Sequence, residues 1–311
     1  MRAAIRLTLA LGMLAVSPRP ASAQLNGLNI KGDVGLGAGT QSPPRPYYGV
    51  LFHRYGSDTI NDVDGNQINA GDGSLTKWVF APLLNVVTKQ RFLGGYYGFA
   101  VVPPFLNMSI EQPGFDHDPG AGLGDIYVQP VNLGWHLRAA DVMAGYAFFA
   151  PTGRYTKGAA DNTSLDMWAQ EFTIGTTVFL DPKRTMDVST LAAVEFHEKK
   201  RHSEAKVGTL LTMEGGFALN FAGGVGKAGV VYAAQWKLTD DTLTGLPPLL
   251  VRGRNNMLSV GPEVTLPLVT TNSLLGFLTF RYEWEVYAHT TTQGNTLIVS
   301  AAFPFKPLRF R

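Results

Sequence analysis

The sequence predicts an all-β protein, an antiparallel transmembrane β-barrel of about 12 strands with short periplasmic turns and longer outer loops. Three observations lead to this prediction. Segments of about ten residues alternate between apolar and polar side chains, which is the pattern of a strand with two different faces. Long and short connections alternate along the chain, as they do in barrels of the outer membrane. The chain also begins with the composition of an export signal.

Residues 1–23 have the features of a cleaved secretory signal peptide. Arg2 and Arg6 supply a positive start, residues 7–16 are apolar, and residues 21–23 read Ala-Ser-Ala, a small-residue cleavage site. The apolar stretch is too short for a membrane span, which needs about 20 residues. The signal carries three Arg and no acid, so the mature chain has 23 basic and 24 acidic residues. This balance gives no support for a nucleic-acid partner, and we expect none.

Composition supports an exported strand protein. The chain of 311 residues has no Cys, which excludes disulfides and Cys-based metal sites and fits the periplasm or the outer membrane. Charged residues make up 16% of the chain, below the ~25% of soluble domains. Mean hydropathy is nevertheless close to zero, as expected when every second residue of a lipid-facing strand is polar. The uncharged run at 92–110 holds three Gly and two Pro, so it is interpreted as a turn and a strand instead of a helix.

Twelve segments show the period of a strand. They cover residues 46–55, 75–88, 95–109, 122–136, 141–152, 168–181, 186–199, 207–221, 226–239, 256–269, 274–289 and 295–305. Pro lies inside 95–109 and 122–136 and makes their phase ambiguous, so we expect a β-bulge there. The longer connections lie near 56–74, 110–121, 153–167, 200–206, 240–255 and 290–294, although the fourth and the last are not long. Shorter connections alternate with them, which indicates periplasmic turns.

Residues 24–45 precede the first strand and are rich in Gly and Pro. Counting them as a strand would break the even number that bacterial barrels have. They are interpreted as a periplasmic lead-in or as a plug-like segment inside the lumen, where they would gate the barrel. Residues 46–311 then form the barrel itself.

Residues 279–289, TFRYEWEVYAH, raise the question of which face meets lipid. In a soluble sheet the aromatic side chains would form a core. That alternative would need one large sheet protein in which every strand is half aromatic and no helix is present. In a membrane barrel the aromatic side chains face lipid and the charges face the lumen, because a lipid-facing Arg or Lys at the midplane costs about 2–4 kcal/mol. The predicted lipid-facing girdle includes Phe280, Tyr282, Trp284, Tyr232 and Trp236. The predicted lumen-lining residues are Glu171, Glu195, His197, Glu214, Lys237, Glu263, Arg281, Glu283 and Glu285.

Two motifs resemble metal sites but depart from them. Residues 197–202 read HEKKRH, which spaces its histidines by five positions, whereas two ligands on one helix face need a spacing of four. Residues 62–66 read DVDGN, like the start of a calcium loop, but Gln67 and Gly73 occupy the positions that need Gly and Glu. No G-x-S-x-G motif and no P-loop occurs. We therefore expect no metal, no cofactor and no catalytic residue, although a Ser/His pair at the rim stays open.

Several strings, in order, resemble a known family. They are GLGDIYVQP at 122–130, LGW at 133–135, APTGRY at 150–155, DNT at 161–163, MW at 167–168, FLDP at 179–182, QWKLTDD at 235–241 and GPEV at 261–264. This set resembles the family named for the meta-pathway of phenol degradation, a group of outer-membrane barrels. The resemblance covers nearly the whole mature chain. It implies movement of aromatic or other hydrophobic compounds across the outer membrane, and it carries no catalytic residues.

Three functions remain open at this stage. The favoured one is an outer-membrane channel or transporter that admits small hydrophobic or aromatic compounds by passive diffusion. The first alternative is a structural or surface-interaction barrel whose lumen is filled by ion pairs, and the second is a rim-sited outer-membrane hydrolase. The expected partners are outer-membrane lipid, a small hydrophobic or aromatic solute and the barrel-assembly machinery. The last is expected because the apolar, aromatic-rich strand at 295–305 resembles the terminal strand that such barrels present for assembly.

Overall fold

The computed structural model describes residues 27–68, 73–112, 115–118, 120–157, 162–242 and 254–309. The predicted signal peptide and residues 24–26 lie outside this part of the chain. The described residues form one 17-stranded sheet. Its strands, numbered in chain order, are β1 Pro46–Asn61, β2 Gln67–Ile68, β3 Ser74–Phe92, β4 Gly95–Val102, β5 Phe105–Gln112, β6 Phe115–His117, β7 Gly122–Leu123, β8 Ile126–His136, β9 Ala140–Ala150, β10 Ala169–Phe179, β11 Met186–His197, β12 Leu210–Phe221, β13 Gly226–Lys237, β14 Asn256–Thr270, β15 Ser273–His289, β16 Thr292–Pro304 and β17 Leu308–Arg309.

The sheet closes into an antiparallel barrel of 12 spans within the described residues, as the sequence predicts. Each span pairs with its neighbour in the chain, and β1 closes the ring against β16, with Tyr47 opposite Pro304 and Ile60 opposite Thr292. Closure leaves no open sheet edge, which is the condition for crossing lipid with strands. None of the described helical residues forms a helix long and apolar enough to cross a membrane.

Two spans are interrupted at the expected places. Pro103 and Pro104 separate β4 from β5, because proline cannot donate a ladder hydrogen bond. In the other span a break divides β7 from β8, and the register against β9 shifts between Val128 and Val131. The ladder resumes on both sides, so the wall stays continuous while its local twist changes.

The two ends of the barrel have different connections. At the end taken as periplasmic, the turns are short and lie at 93–94, 137–139, 180–185, 222–225 and 271–272. At the outer end, longer connections lie at 62–73, 113–121, 151–168, 198–209 and 238–255. The last connection is short, as its sequence indicates, and Thr290 and Thr291 alone join β15 to β16. The strands extend further here, and Thr290 adopts a positive φ of 57° that permits a tight hairpin.

Side chains along the strands alternate between an exposed apolar face and a buried face. Examples of the exposed face are Val50 and Phe52 on β1, Ile174 on β10 and Val230 on β13. Because the sheet is closed, the buried face is the inside of the barrel. An exposed apolar band on a closed barrel is the surface that meets lipid.

Residues 27–45, here called the inner segment, lie inside the barrel. Near the periplasmic end, Gln41 donates its Nε2 hydrogens to the carbonyl oxygens of Tyr96 and Asn132. In the outer half, Gly27 lies against Leu210 and Glu195. The segment therefore traverses most of the lumen, and it is bonded to side chains and to single backbone carbonyl oxygens of the wall without joining the strand ladder.

The chain end reinforces the closing seam. The ring of Tyr48 on β1 stacks on Phe303 of β16 with centroids 5.4 Å apart, and Phe305 meets Tyr48 edge-on at the same distance. Beyond this cluster, β17 pairs with the start of β15 through Ser273 and Leu274. Aromatic contacts of this kind add about 0.5–1.5 kcal/mol beyond burial, so they favour closure of the ring.

Candidate functional site

The nine residues predicted to line the lumen all lie on the buried inner face. None is more than 6% exposed; they are Glu171, Glu195, His197, Glu214, Lys237, Glu263, Arg281, Glu283 and Glu285. Charged side chains that are buried in this way need partners, because an unpaired buried charge is costly. Their partners show what the lumen holds.

The five residues predicted to face lipid lie on the opposite face. Phe280, Tyr282, Trp284 and Trp236 are 37–48% exposed. Tyr232 is less exposed, because its hydroxyl bonds with Thr190 Oγ1 at 2.7 Å across the neighbouring strands. Tyr282 and Trp284 also contact each other edge to face, with centroids 5.0 Å apart. Paired amphipathic rings of this type are typical of a membrane-interface girdle.

Glu195 on β11 holds the outer end of the inner segment. Its Oε1 accepts the backbone N–H of Leu28 at 2.7 Å, and its Oε2 accepts that of Asn29 at 3.1 Å. Oε1 also lies 2.6 Å from Nε2 of His197. One carboxylate thus binds two consecutive backbone amides of the segment and one imidazole.

Glu214 and Arg281 hold the middle of the segment from two strands. The carboxylate of Glu214 on β12 accepts the N–H of Gly32 at 2.7 Å and that of Val34 at 2.8 Å. Arg281 on β15 donates to the carbonyl oxygen of Gly32. Gly32 adopts a φ of +79°, and a Cβ there would lie 2.9 Å from Oε1 of Glu283. Only glycine accepts this backbone conformation readily at such close quarters.

The ion pair of Glu263 and Arg281 forms the next contact along the segment. Arg281 Nε lies 2.7 Å from Glu263 Oε2, and both carboxylate oxygens lie 3.3 Å from the N–H of Leu36. The two side chains come from neighbouring strands, where Glu263 is directly opposite Arg281. The pair therefore combines a cross-strand bridge of the wall with a contact to the segment.

The other predicted acids are also occupied. Glu171 accepts the Nδ2 hydrogens of Asn29 at 2.7 Å, and Glu283 accepts a hydrogen bond from Ser259. Glu285 accepts Tyr55 Oη–H at 2.8 Å and pairs with Lys31 of the inner segment at 3.3 Å. These contacts leave the acids as anchors in the present arrangement, so they do not border an open aqueous path.

Lys237 lies apart from the anchoring acids. Its Nζ pairs with Asp241 Oδ2 at 2.8 Å, close to the outer rim. Asp241 in turn accepts the N–H of Gly208 through its other oxygen, at 2.7 Å. The lysine therefore secures an outer connection to the wall of the barrel.

The periplasmic half of the segment is held by neutral contacts. Gly37 N–H bonds to Ser189 Oγ at 3.0 Å, and Gly39 N–H bonds to Thr177 Oγ1 at 3.2 Å. An apolar cluster joins Val34 and Ala38 of the segment to the wall residues Met143, Leu191 and Ala193. Charged anchors thus lie in the outer half and middle, and neutral anchors lie towards the periplasm.

A pocket of about 530 Å³ opens where the segment leaves the lumen. Its lining includes Pro43 and Pro44 of the segment, together with Arg91, Tyr96 and Trp135 of the wall. Arg91 lies over the Tyr96 ring, 4.4 Å from its centroid. This pocket marks the periplasmic mouth of the barrel.

Three of the motifs that suggested a family meet at the outer rim. Asp125 of the GLGD string accepts the N–H of Gly153, from the APTGRY string, at 3.2 Å and that of Leu165 at 2.9 Å. Thr163 of the DNT string donates to the carbonyl oxygen of Leu123 at 2.6 Å and accepts the N–H of Arg154 at 3.0 Å. These residues are distant in sequence and build one rigid junction, which spacing alone does not reveal.

A second rim cluster, around Asp166, was not predicted. Asp166 accepts the N–H of His202 at 2.9 Å and pairs with Arg201 Nε at 3.2 Å, while the His202 ring stacks on Tyr155. Burial raises the pKa of Asp166, but the hydrogen bonds from His202 and Arg201 outweigh it and lower the pKa below its ordinary value. The cluster fastens one outer connection to another.

The HEKKRH string is divided by the structure. His197 points into the lumen against Glu195, whereas His202 lies in an outer connection against Asp166. The described residues contain no group of three or more His, Asp or Glu side chains placed to hold a metal ion.

A closed antiparallel barrel with an apolar outer band, a polar interior and a segment bonded inside it defines an outer-membrane β-barrel protein. The chain belongs to the family described as "Putative MetA-pathway of phenol degradation", whose model matches residues 57–301. The resemblance drawn from the ordered strings is thereby confirmed. No curated protein sequence matches the chain.

One solved structure has the same fold, and two others are less similar. An outer membrane channel from Pseudomonas putida F1 superposes with a TM-score of 0.73 at 15% identity, covering 86% of this chain and 98% of that chain. The transport unit of the Escherichia coli autotransporter AIDA-I has a TM-score of 0.46 at 10% identity, covering 91% and 93%. The CymD monoaromatic hydrocarbon channel has a TM-score of 0.41 at 8% identity, covering 85% and 90%. The first similarity supports the fold, and the other two are too low to argue from.

Proposed function

We propose that the protein is a passive conduit for small hydrophobic or aromatic compounds across the outer membrane, and that the inner segment is its gate. Family membership supports the class of compound, and the fold similarity to an outer membrane channel supports the conduit. The protein performs no catalysis in this proposal. The nine inner-face residues act by holding the segment and, once it moves, by lining the path.

The observation that carries this proposal is how the segment is held. Its bonds run to side chains such as Glu195, Glu214 and Glu263, and it joins no strand ladder of the wall. Hydrogen bonds to charged groups contribute about 1.5–3 kcal/mol each. Such bonds can break and reform one after another without unfolding the barrel, whereas removal of a wall strand would destroy it.

A deletion tests the conduit directly. Removal of residues 27–41 leaves the strands intact and should raise both the ion conductance in planar bilayers and the entry of phenol or toluene into liposomes. Heat-modifiability on a gel checks that the deleted barrel is folded. Folded barrels that pass neither ions nor solutes after the deletion would refute the conduit.

The filled barrel is the second candidate, because every predicted lumen residue is already bonded and at most 6% exposed. In that case the segment is a permanent part of the interior. Its deletion should then lower the resistance of the barrel to unfolding while leaving conductance and solute entry at the level of empty liposomes.

A further inference from the structure

His197 and Glu195 form a buried pair in which the proton positions can be assigned. Nδ1 of His197 lies 3.0 Å from the carbonyl oxygen of Gly208, and a carbonyl oxygen only accepts, so Nδ1 carries a hydrogen. Nε2 lies 2.6 Å from Glu195 Oε1, so one further proton lies between them. Oε1 also accepts the N–H of Leu28, and the hydroxyl oxygen of a carboxylic acid is a poor acceptor. The favoured form is therefore an imidazolium beside a carboxylate.

We propose that this pair is a proton-dependent latch, which holds the outer end of the inner segment while Glu195 is ionised and releases it when acid protonates Glu195. The inference rests on the proposed function, since release of the segment is what opens the conduit. A proton added to either carboxylate oxygen of Glu195 would point at a group that is itself a hydrogen-bond donor. On Oε1 it faces His197 Nε2–H and Leu28 N–H, and on Oε2 it faces Asn29 N–H. Protonation thus turns two attractive contacts on Oε1, or one on Oε2, into a donor facing a donor.

The charged groups around the pair determine how the latch responds. Glu171 lies directly opposite Glu195 in the strand register, and it accepts from Asn29 Nδ2 and from Tyr127 Oη. Its protonation weakens the charged hydrogen bond from Asn29, which acts in the same direction as protonation of Glu195. Behind His197, the Lys237–Asp241 ion pair is joined to Gly208.

Two charged residues of the segment itself complete the surroundings. Lys31 pairs with Glu285 at 3.3 Å. Asp33 lies beside Arg281, Glu171 and Glu214, and its side chain hydrogen-bonds to Glu214, so its own titration acts separately from that of Glu195 and against it. The test is therefore repeated with Asp33→Asn, which removes this opposing titration.

Cysteine labelling reports the position of the segment without relying on transport. The chain has no Cys, so the full-length barrel with Leu28→Cys has a single thiol at the latch. Asp64→Cys, in an exposed outer connection, corrects for the intrinsic pH dependence of the thiol. Thr40→Cys, exposed towards the periplasmic end of the segment, reports whether that end also moves. The rate of labelling by a water-soluble thiol reagent is measured between about pH 7.5 and about pH 4.5.

We expect the labelling rate of Leu28→Cys, divided by that of Asp64→Cys, to rise at least about tenfold in acid, with Thr40→Cys changing far less. Glu195→Gln should give the fast rate at every pH. His197→Gln should change the pH dependence, because Glu195 then loses its 2.6 Å contact with His197 Nε2. A barrel that needs the pair only for packing would show no such change.

Two results would overturn the latch. One is a ratio that does not change with pH in the parent or in the Asp33→Asn background. The other is a pH response that survives unchanged in both Glu195→Gln and His197→Gln. Because labelling is independent of conductance, a barrel that labels as expected but never conducts would remove the proposed conduit and leave the latch in place.

Discussion

Gly35 of the inner segment lies directly against the ion pair of Arg281 and Glu263. A Cβ at Gly35 would overlap both Arg281 Nη2 and Glu263 Oε2. At Gly35 the backbone of the segment lies so close to this ion pair that a larger residue would have to displace either the segment or the two side chains.

Gly35→Val should displace the segment from the middle of the lumen without changing the wall. We expect a several-fold rise in ion conductance, because the two added methyl groups cannot share the space of the ion pair. Gly56→Ala is the matched control, because the nearest atom to its added Cβ is 3.5 Å away. Equal conductance of the two variants in planar bilayers would contradict the assignment of the segment as the gate.

Arg281→Met should destabilise the folded barrel by about 3–5 kcal/mol, because it leaves the buried carboxylate of Glu263 without its cation. Urea unfolding in lipid vesicles, followed by Trp fluorescence, measures the change. The double variant with Glu263→Gln should recover part of the loss, with a coupling of about 0.5–3 kcal/mol. Strict additivity of the two single effects would show that the pair does not interact.

Ile174→Lys should destabilise the barrel by about 2–4 kcal/mol, because Ile174 lies at the middle of β10 on the lipid-facing side. The matched control is Leu180→Lys, at an exposed apolar residue in the turn just beyond that strand. Its expected cost is about 0–1 kcal/mol, as for other interfacial positions. Similar costs for both variants in vesicle unfolding would place Ile174 outside the apolar band.

Asp166→Asn should free the outer connection at 198–209 from the one at 151–168. Lys199, Lys200 and Arg201 are cleavage sites for trypsin within that connection, so tryptic nicking of intact vesicles at neutral pH should become faster. Asp58→Asn serves as the control, because Asp58 is exposed at the rim and accepts a hydrogen bond from its neighbour Thr59. Nicking at the parental rate would show that Asp166 does not secure this connection.

The same contact should depend on pH in the parent protein. The pKa of Asp166 lies below its ordinary value of 3.8, since hydrogen bonds outweigh the opposing effect of burial. A carboxyl with a lowered folded-state pKa stabilises the contact above 3.8, and this contribution is lost as the pH falls through the lowered value. A spin label on Ser203→Cys should therefore be immobile at neutral pH and become mobile only below the ordinary Asp range.

The faces of the wall could be predicted from sequence because a strand has a strict two-residue period. In TFRYEWEVYAH the alternation alone separates Phe280 and Trp284 from Arg281 and Glu283. The Pro residues inside 95–109 and 122–136 likewise predict where those two spans are interrupted. These are local signals, and the barrel that they predict is confirmed.

The contents of the lumen could not be predicted in this way. The bond between Leu28 and Glu195 joins residues 167 positions apart, and a Gly-rich segment has no period that would show its partners. The sequence predicts that these acids face the lumen, but it does not show that Glu195, Glu214 and Glu263 bond to backbone amides of the inner segment. The rim junction around Asp125 was missed for the same reason, since its strings are separate in the sequence.

The position of the inner segment before β1 has a consequence for assembly. The seam between β1 and β16 joins the first and last spans, with Tyr47 opposite Pro304, so the ring is completed only when the end of the chain arrives. The preceding residues must already lie within the curling sheet at that moment, or must thread through the narrow finished ring afterwards. Carboxylates on β11, β12 and β14 would then bind the inner segment while the sheet is still curling. The same charges that hold the segment in the finished barrel would thus also direct its assembly.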